Sequence, residues 1–186
     1  MKAKVTTFEQ AVRQSQPPVN DAYRPGLQAL GRHSGKVRCR QQRRLTGSVN
    51  LEDALSRAFP NENLWDYGIG YRQNSSEVAL WLEVHPADTS EVETVLKKLQ
   101  WLKDWLTHYA DALRALNDRG SSPYWWLATD AGVHIRPGRG AGTAVATVGT
   151  ARPSTLLGTV LTCSGSSGIA MAALGCESGR TRRCGQ

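Results

Sequence analysis

Two kinds of apolar spacing run along the chain. The first is strand-like: Trp65-Asp66-Tyr67-Gly68-Ile69-Gly70-Tyr71 and Val78-Ala79-Leu80-Trp81-Leu82-Glu83-Val84-His85 are both rich in aromatic and branched residues. The polar stretch Arg72–Glu77 separates them, so the two runs predict a β-hairpin. A turn centred between Asn74 and Ser75 pairs Arg72 with Glu77, Gly70 with Ala79, Gly68 with Trp81 and Asp66 with Glu83. Side chains alternate across a strand, so Asp66, Glu83 and His85 are expected on one face.

The second spacing is helical. Val92, Val95, Leu96, Leu99, Leu102, Leu106, Tyr109, Leu113 and Leu116 recur at threes and fours, and Ser90 with Glu93 has capping-box spacing. One amphipathic helix of about seven turns is predicted there, its apolar face widened by Trp101 and Trp105. Phe8, Ala11 and Val12 predict a short helix that Pro17-Pro18 ends. Asn50 is placed as the N-cap of another, carrying Leu51, Leu55, Ala58 and Phe59 up to Pro60. Tyr23-Arg24-Pro25-Gly26 reads as a turn. Tyr124–Thr129, Asp130-Ala131-Gly132 and Val133–Arg136 predict a second hairpin. The fold class expected is α/β, a small mixed or antiparallel sheet packed on one long amphipathic helix.

Composition divides the chain into three: a basic N-terminal extension (1–44), an α/β core (45–136) and a tail (137–186). The tail holds ten of the eighteen glycines, one acid (Glu177) and no Phe, Trp or Tyr, so disorder or poor packing is expected. Such Arg, Gly, Ala and Thr richness is also what out-of-frame translation of GC-rich DNA gives. The uncharged run Pro153–Cys176 is too rich in Ser, Thr and Gly to suggest a membrane span. The polar N-terminus shows no secretory signal, and Cys39, Cys163, Cys176 and Cys184 have no Cys-x-x-Cys spacing. A cytoplasmic protein with reduced thiols is the expectation.

The net charge of +7 fits an acidic partner such as nucleic acid, or simply a soluble basic protein. It concentrates in Arg32, Lys36, Arg38, Arg40, Arg43 and Arg44, with His33 and no acid among them. That segment suits either a phosphate-tracking patch or an exposed edge strand protected by its charges.

Like charges directly opposite one another destabilise a sheet, so Asp66 and Glu83 need a compensating charge. A divalent cation, Mg²⁺ or Mn²⁺, is one candidate, since such an ion takes one or two carboxylates and keeps several waters. His85 on the same face would orient or deprotonate a metal-bound water. The structural alternatives are that Asp66 only opens a strand, Glu83 pairs with a lysine, and His85 before Pro86 ends the strand.

An acid opening one strand, a Glu-x-basic tripeptide in the next, and then a helix resembles the PD-(D/E)XK nuclease superfamily. The resemblance covers roughly residues 45–136, about half of the chain. It implies a restriction-endonuclease-like core and a metal-dependent phosphodiesterase, active or decayed, with Asp66 and Glu83 as metal ligands. His85 stands where the family usually has Lys, with Lys97 or Lys98 able to reach in from the helix, and Glu52 or Asp53 would match the family's helical acid. The family's core would have a strand between Phe59 and Trp65, where none is evident. The competing reading is a module without chemistry, binding nucleic acid through Arg32–Arg44 or a protein through Trp101, Trp105, Trp125 and Trp126.

Overall fold

The computed structural model describes residues 6–39, 41–117, 122–134, 161–162 and 171–173. The elements in order are α1 (Phe8–Arg13), β1 (Arg24–Pro25), β2 (Arg38–Cys39), β3 (Leu45–Asn50), α2 (Leu51–Leu55), β4 (Tyr67–Gln73), β5 (Ser76–Asp88), α3 (Val92–Tyr109), α4 (Asp111–Arg114), β6 (Tyr124–His134), β7 (Leu161–Thr162) and β8 (Met171–Ala173). Six of the strands form one mixed sheet in the order β1-β3-β4-β5-β6-β8, while β2 pairs with β7. The fold is therefore α/β.

The β4–β5 hairpin has the register its turn predicts: Arg72 opposite Glu77, Gly70 opposite Ala79 and Gly68 opposite Trp81. Asn74 supplies the left-handed conformation of the tight turn, with φ 55°. Gly70 has a packing reason, because a Cβ there would lie 2.5 Å from the Phe8 side chain. From β5 the chain crosses through α3 and returns as β6 parallel to β5, the arrangement that a helical connection permits and a short turn does not.

Both faces of the sheet are covered. On one, Val49, Ala79, Trp81 and Trp126 pack against Phe8 of α1, Leu113 of α4, and Val95, Leu99, Leu102, Trp105 and Leu106 of α3. On the other, Tyr67, Ile69, Tyr71, Leu80, Leu82 and Leu127 pack under Leu30, Val37 and Cys39. The basic segment is thus not an edge strand along its length. It is 3-10 helical over Gln28–Lys36 with a kink at Gly31, joins β2 briefly, and turns again over Gln42–Arg44. Its two buried apolar residues, Val37 and Cys39, hold it on the sheet.

Three further expectations are corrected. The second hairpin does not form: Trp126 and Leu127 are buried in opposite cores, which requires a central strand covered on both faces. Instead of turning back, β6 continues beside β5, and its register shifts between the His85–Ala128 and Ala87–Val133 pairs, which bracket Asp130–Gly132. The long helix breaks at Ala110 (φ −145°, ψ 51°), which turns Leu113 and Leu116 inward, where the Leu116 carbonyl accepts from the Ala79 N–H at 2.9 Å. Ser90 does not cap that helix, because Thr89–Glu91 form a 3-10 turn and Glu91 takes the N-cap position without a side-chain bond. Asn50 caps α2 as expected, accepting from the Asp53 N–H at 3.0 Å. The strand preceding the hairpin is β3, ahead of α2 rather than between Phe59 and Trp65. The expected disordered tail lies outside the described residues except for β7 and β8, which pair with β2 and β6.

Candidate functional site

At the open end of the β4–β5 hairpin the register carries Asp66 opposite Glu83, one step beyond the Tyr67–Leu82 pair. The backbone ties the two together: the Asp66 N–H donates to Glu83 Oε2 at 3.3 Å, and the Val84 N–H donates to Asp66 Oδ2 at 2.9 Å. The Leu51 N–H, at the start of α2, donates to the Asp66 carbonyl at 2.8 Å. Glu83 has no exposed surface and Asp66 almost none. Two adjacent carboxylates in such a place require a countercharge.

That charge is Lys98 of α3. Its Nζ donates to Glu83 Oε1 at 2.5 Å and to Asp66 Oδ1 at 3.2 Å. All four carboxylate oxygens therefore have donors from the protein. Burial, and then the Asp66 carboxylate, push the Glu83 carboxyl up to about 8 against the opposing pull of Lys98. Burial works against the Lys98 ammonium, but Glu83 and Asp66 outweigh it and raise its pKa above the ordinary lysine value.

His85, three-quarters buried, forms the rim. Its Nδ1 is 3.8 Å from Glu83 Oε1 and its Nε2 is 2.7 Å from Glu91 Oε2. The Trp126 indole N–H donates to the His85 carbonyl at 2.9 Å, fixing the strand at that point. The rim thus joins the buried pair, through His85, to a partly exposed Glu91.

The remaining expected residues do not converge there. Lys97 points outward and pairs with Glu93 at 2.8 Å, so Lys98, not Lys97, is the lysine of the site. Periodicity contains the signal: Lys98 stands three residues after buried Val95 and four before buried Leu102, whereas Lys97 stands four after exposed Glu93. Glu52 and Asp53 are exposed in the first turn of α2, where Glu52 raises the Tyr67 phenol pKa, after burial and Asp66. Among the described residues no group of three or more His, Cys, Asp or Glu side chains is arranged to hold a metal ion.

Of the basic segment, Arg32 is exposed beside His33, whose Nδ1 lies 3.1 Å from the Tyr67 hydroxyl. Lys36 ends the 3-10 stretch, Arg38 lies in β2, and Arg43 and Arg44 form the turn before β3. Arg40 lies outside the described residues. Nor do the tryptophans form an exposed patch: Trp105 and Trp126 are each 4% exposed, Trp101 stacks on Trp105, and Trp125 is partly buried against the second core. Among the described residues no helix is long and apolar enough to cross a membrane. No protein-family model, no curated protein and no solved structure matches the chain.

Proposed function

We propose that Asp66, Glu83 and Lys98 form the site of a divalent-metal-dependent phosphodiesterase of nuclease type, on a PD-(D/E)XK-like core. One observation carries the reading: an acid at the start of a strand, an acid in the paired strand and an ammonium from the crossover helix meet within hydrogen-bonding distance. The lysine that the tripeptide ending in His85 lacks is supplied from the helix. Asp66 Oδ1 and Glu83 Oε1 converge on one positive centre, a donor set of hard oxygens that suits Mg²⁺ or Mn²⁺ once the ammonium moves aside. Such an ion, when bound, supplies Lewis acidity and a water of lowered pKa.

The chain's own residues have separate tasks. Asp66 and Glu83 would hold the cation, and Glu83 would have to lose its proton to do so, which would make binding pH-dependent. Lys98 keeps its proton and stabilises negative charge on a phosphate rather than acting as a base. His85, anchored through Nε2 by Glu91, keeps Nδ1 on the Glu83 side, where it takes a proton from an attacking water. The acidic partner expected from the +7 net charge is then the nucleic-acid substrate.

A second reading, nucleic-acid binding without cleavage, is favoured by the complete internal satisfaction of both carboxylates and by the full burial of Glu83. Incubation of labelled DNA and RNA with Mg²⁺, Mn²⁺ or chelator separates the two. Metal-dependent cleavage lost in Asp66→Asn and Lys98→Met supports the first reading. Salt-sensitive binding that is indifferent to chelator, with no cleavage, supports the second.

A further inference from the structure

The turn end of the hairpin is built differently from the acidic end. Arg72 is six residues from Asp66 along β4, roughly 20 Å at the rise of a strand. There a cavity of about 500 Å³ is lined by Gln41, Gln42, Arg43, Arg44 and Arg72, with no acid in its wall. Among the described residues no carboxylate pairs with Arg43 or Arg44. Arg72 lies 3.5 Å from Glu77, whose other oxygen accepts from the Phe8 N–H and the Thr46 hydroxyl at 2.8 and 3.1 Å. Three arginines thus line one space, and among the described residues only Arg72 of the three has a carboxylate beside it, itself shared with two other donors.

Gln42 also lines a second cavity of about 400 Å³, whose wall is uncharged: Leu27, Val37 and Leu45 with Gly26, Ser34 and Gly35. The arginine-lined cavity and the uncharged one thus share Gln42 in their linings. Each is of the size that holds a small ligand.

We infer that these neighbouring cavities bind a nucleoside phosphate, with its phosphoryl group among Arg43, Arg44 and Arg72 and its uncharged portion on the Gln42 side, towards Leu27, Val37 and Leu45. Guanidinium groups pair with the oxygens of carboxylate and phosphate alike, but three arginines suit the greater charge and third acceptor oxygen of a phosphoryl group. The choice of a nucleoside rests on the nucleic-acid reading above, but the site does not depend on cleavage at Glu83. Its ligand is a free nucleotide or the phosphorylated end of a strand.

Titration calorimetry of the full chain with inorganic phosphate, the four nucleoside 5′-monophosphates, and a single-stranded 12-mer with and without a 5′-phosphate tests the inference. Saturable binding of a monophosphate is expected, weakened at least tenfold in Arg43→Gln/Arg44→Gln and unchanged in Glu83→Gln. Gly35→Leu, whose added Cβ meets nothing within 4 Å, is expected to weaken the monophosphate but not inorganic phosphate. Tighter binding of the 5′-phosphorylated 12-mer than of its hydroxyl form and of the monophosphates assigns the site to strand ends, and the reverse order assigns it to free nucleotides. Either order supports the proposal. Absence of saturable binding overturns it, as does equal affinity in the double arginine variant. Equal affinity for phosphate and monophosphates, insensitive to Gly35→Leu, overturns the nucleoside assignment. Failure of the nuclease reading is seen separately, as absence of metal-dependent cleavage with binding intact.

Discussion

Lys98 Nζ on α3 lies 2.5 Å from Glu83 Oε1 on β5, and this contact joins the crossover helix to the centre of the sheet. It places a positive charge where two carboxylates converge, with Glu83 fully buried and the Lys98 side chain 14% exposed. The same ammonium that permits burial of the two carboxylates is, under the nuclease proposal, the charge that would meet an anionic phosphate.

Removing one charge from this cluster should be far worse than removing its neighbour on the helix. Lys98→Met leaves the buried Asp66–Glu83 pair without its counterion, and a loss of about 3–5 kcal/mol is expected in denaturant unfolding. The double variant Lys98→Met/Glu83→Gln should recover part of that loss. Lys97→Ala, which breaks an exposed contact with Glu93, should leave the unfolding midpoint unchanged.

Stability should fall as pH rises through the neutral range. Glu83 has a folded pKa near 8, raised above its unfolded value of 4.5 chiefly by burial. The folded state holds that proton more tightly, so the contribution is fully present below pH 4.5 and is lost as pH climbs towards 8. A shift of this size corresponds to several kcal/mol. Melting temperatures measured between pH 5 and pH 9 should decline in the native chain, and Glu83→Gln should flatten the curve across that window.

Metal should stabilise the folded chain more at pH 8.5 than at pH 6, because the ion competes with the Glu83 proton. A thermal shift with Mg²⁺ or Mn²⁺ that grows with pH and vanishes in Glu83→Gln is expected. An equal shift in that variant would place the ion elsewhere.

Gly70 should not accept a side chain. A methyl group there would meet Phe8 of α1 at 2.5 Å and Thr46 Oγ1 at 2.7 Å, so Gly70→Ala should destabilise by about 1–3 kcal/mol through overpacking. Gly35→Ala, facing open space, should be tolerated. Chemical denaturation of the two variants side by side measures the difference.

Local pattern carried much of this architecture. The polar turn around Asn74 and Ser75, flanked by alternating apolar residues, sets a register that brings Asp66 opposite Glu83, because strand side chains repeat every two residues and allow few alternatives. The stripe beginning at Val92 announces α3, and Asn50 its own helix, because capping and helical periodicity are local. Other features depended on what each segment meets in three dimensions. Tyr124–His134 carries turn residues suited to a hairpin, yet runs as one strand because Trp126 and Leu127 bury on opposite faces beside β5. The Arg32–Arg44 stretch reads as polar, but Val37 and Cys39 anchor it over the sheet. The need for a positive charge beside Asp66 and Glu83 was legible in their register. That the charge is the Lys98 ammonium follows from the packing of α3 against β5, a relation between distant segments that no short window of residues contains.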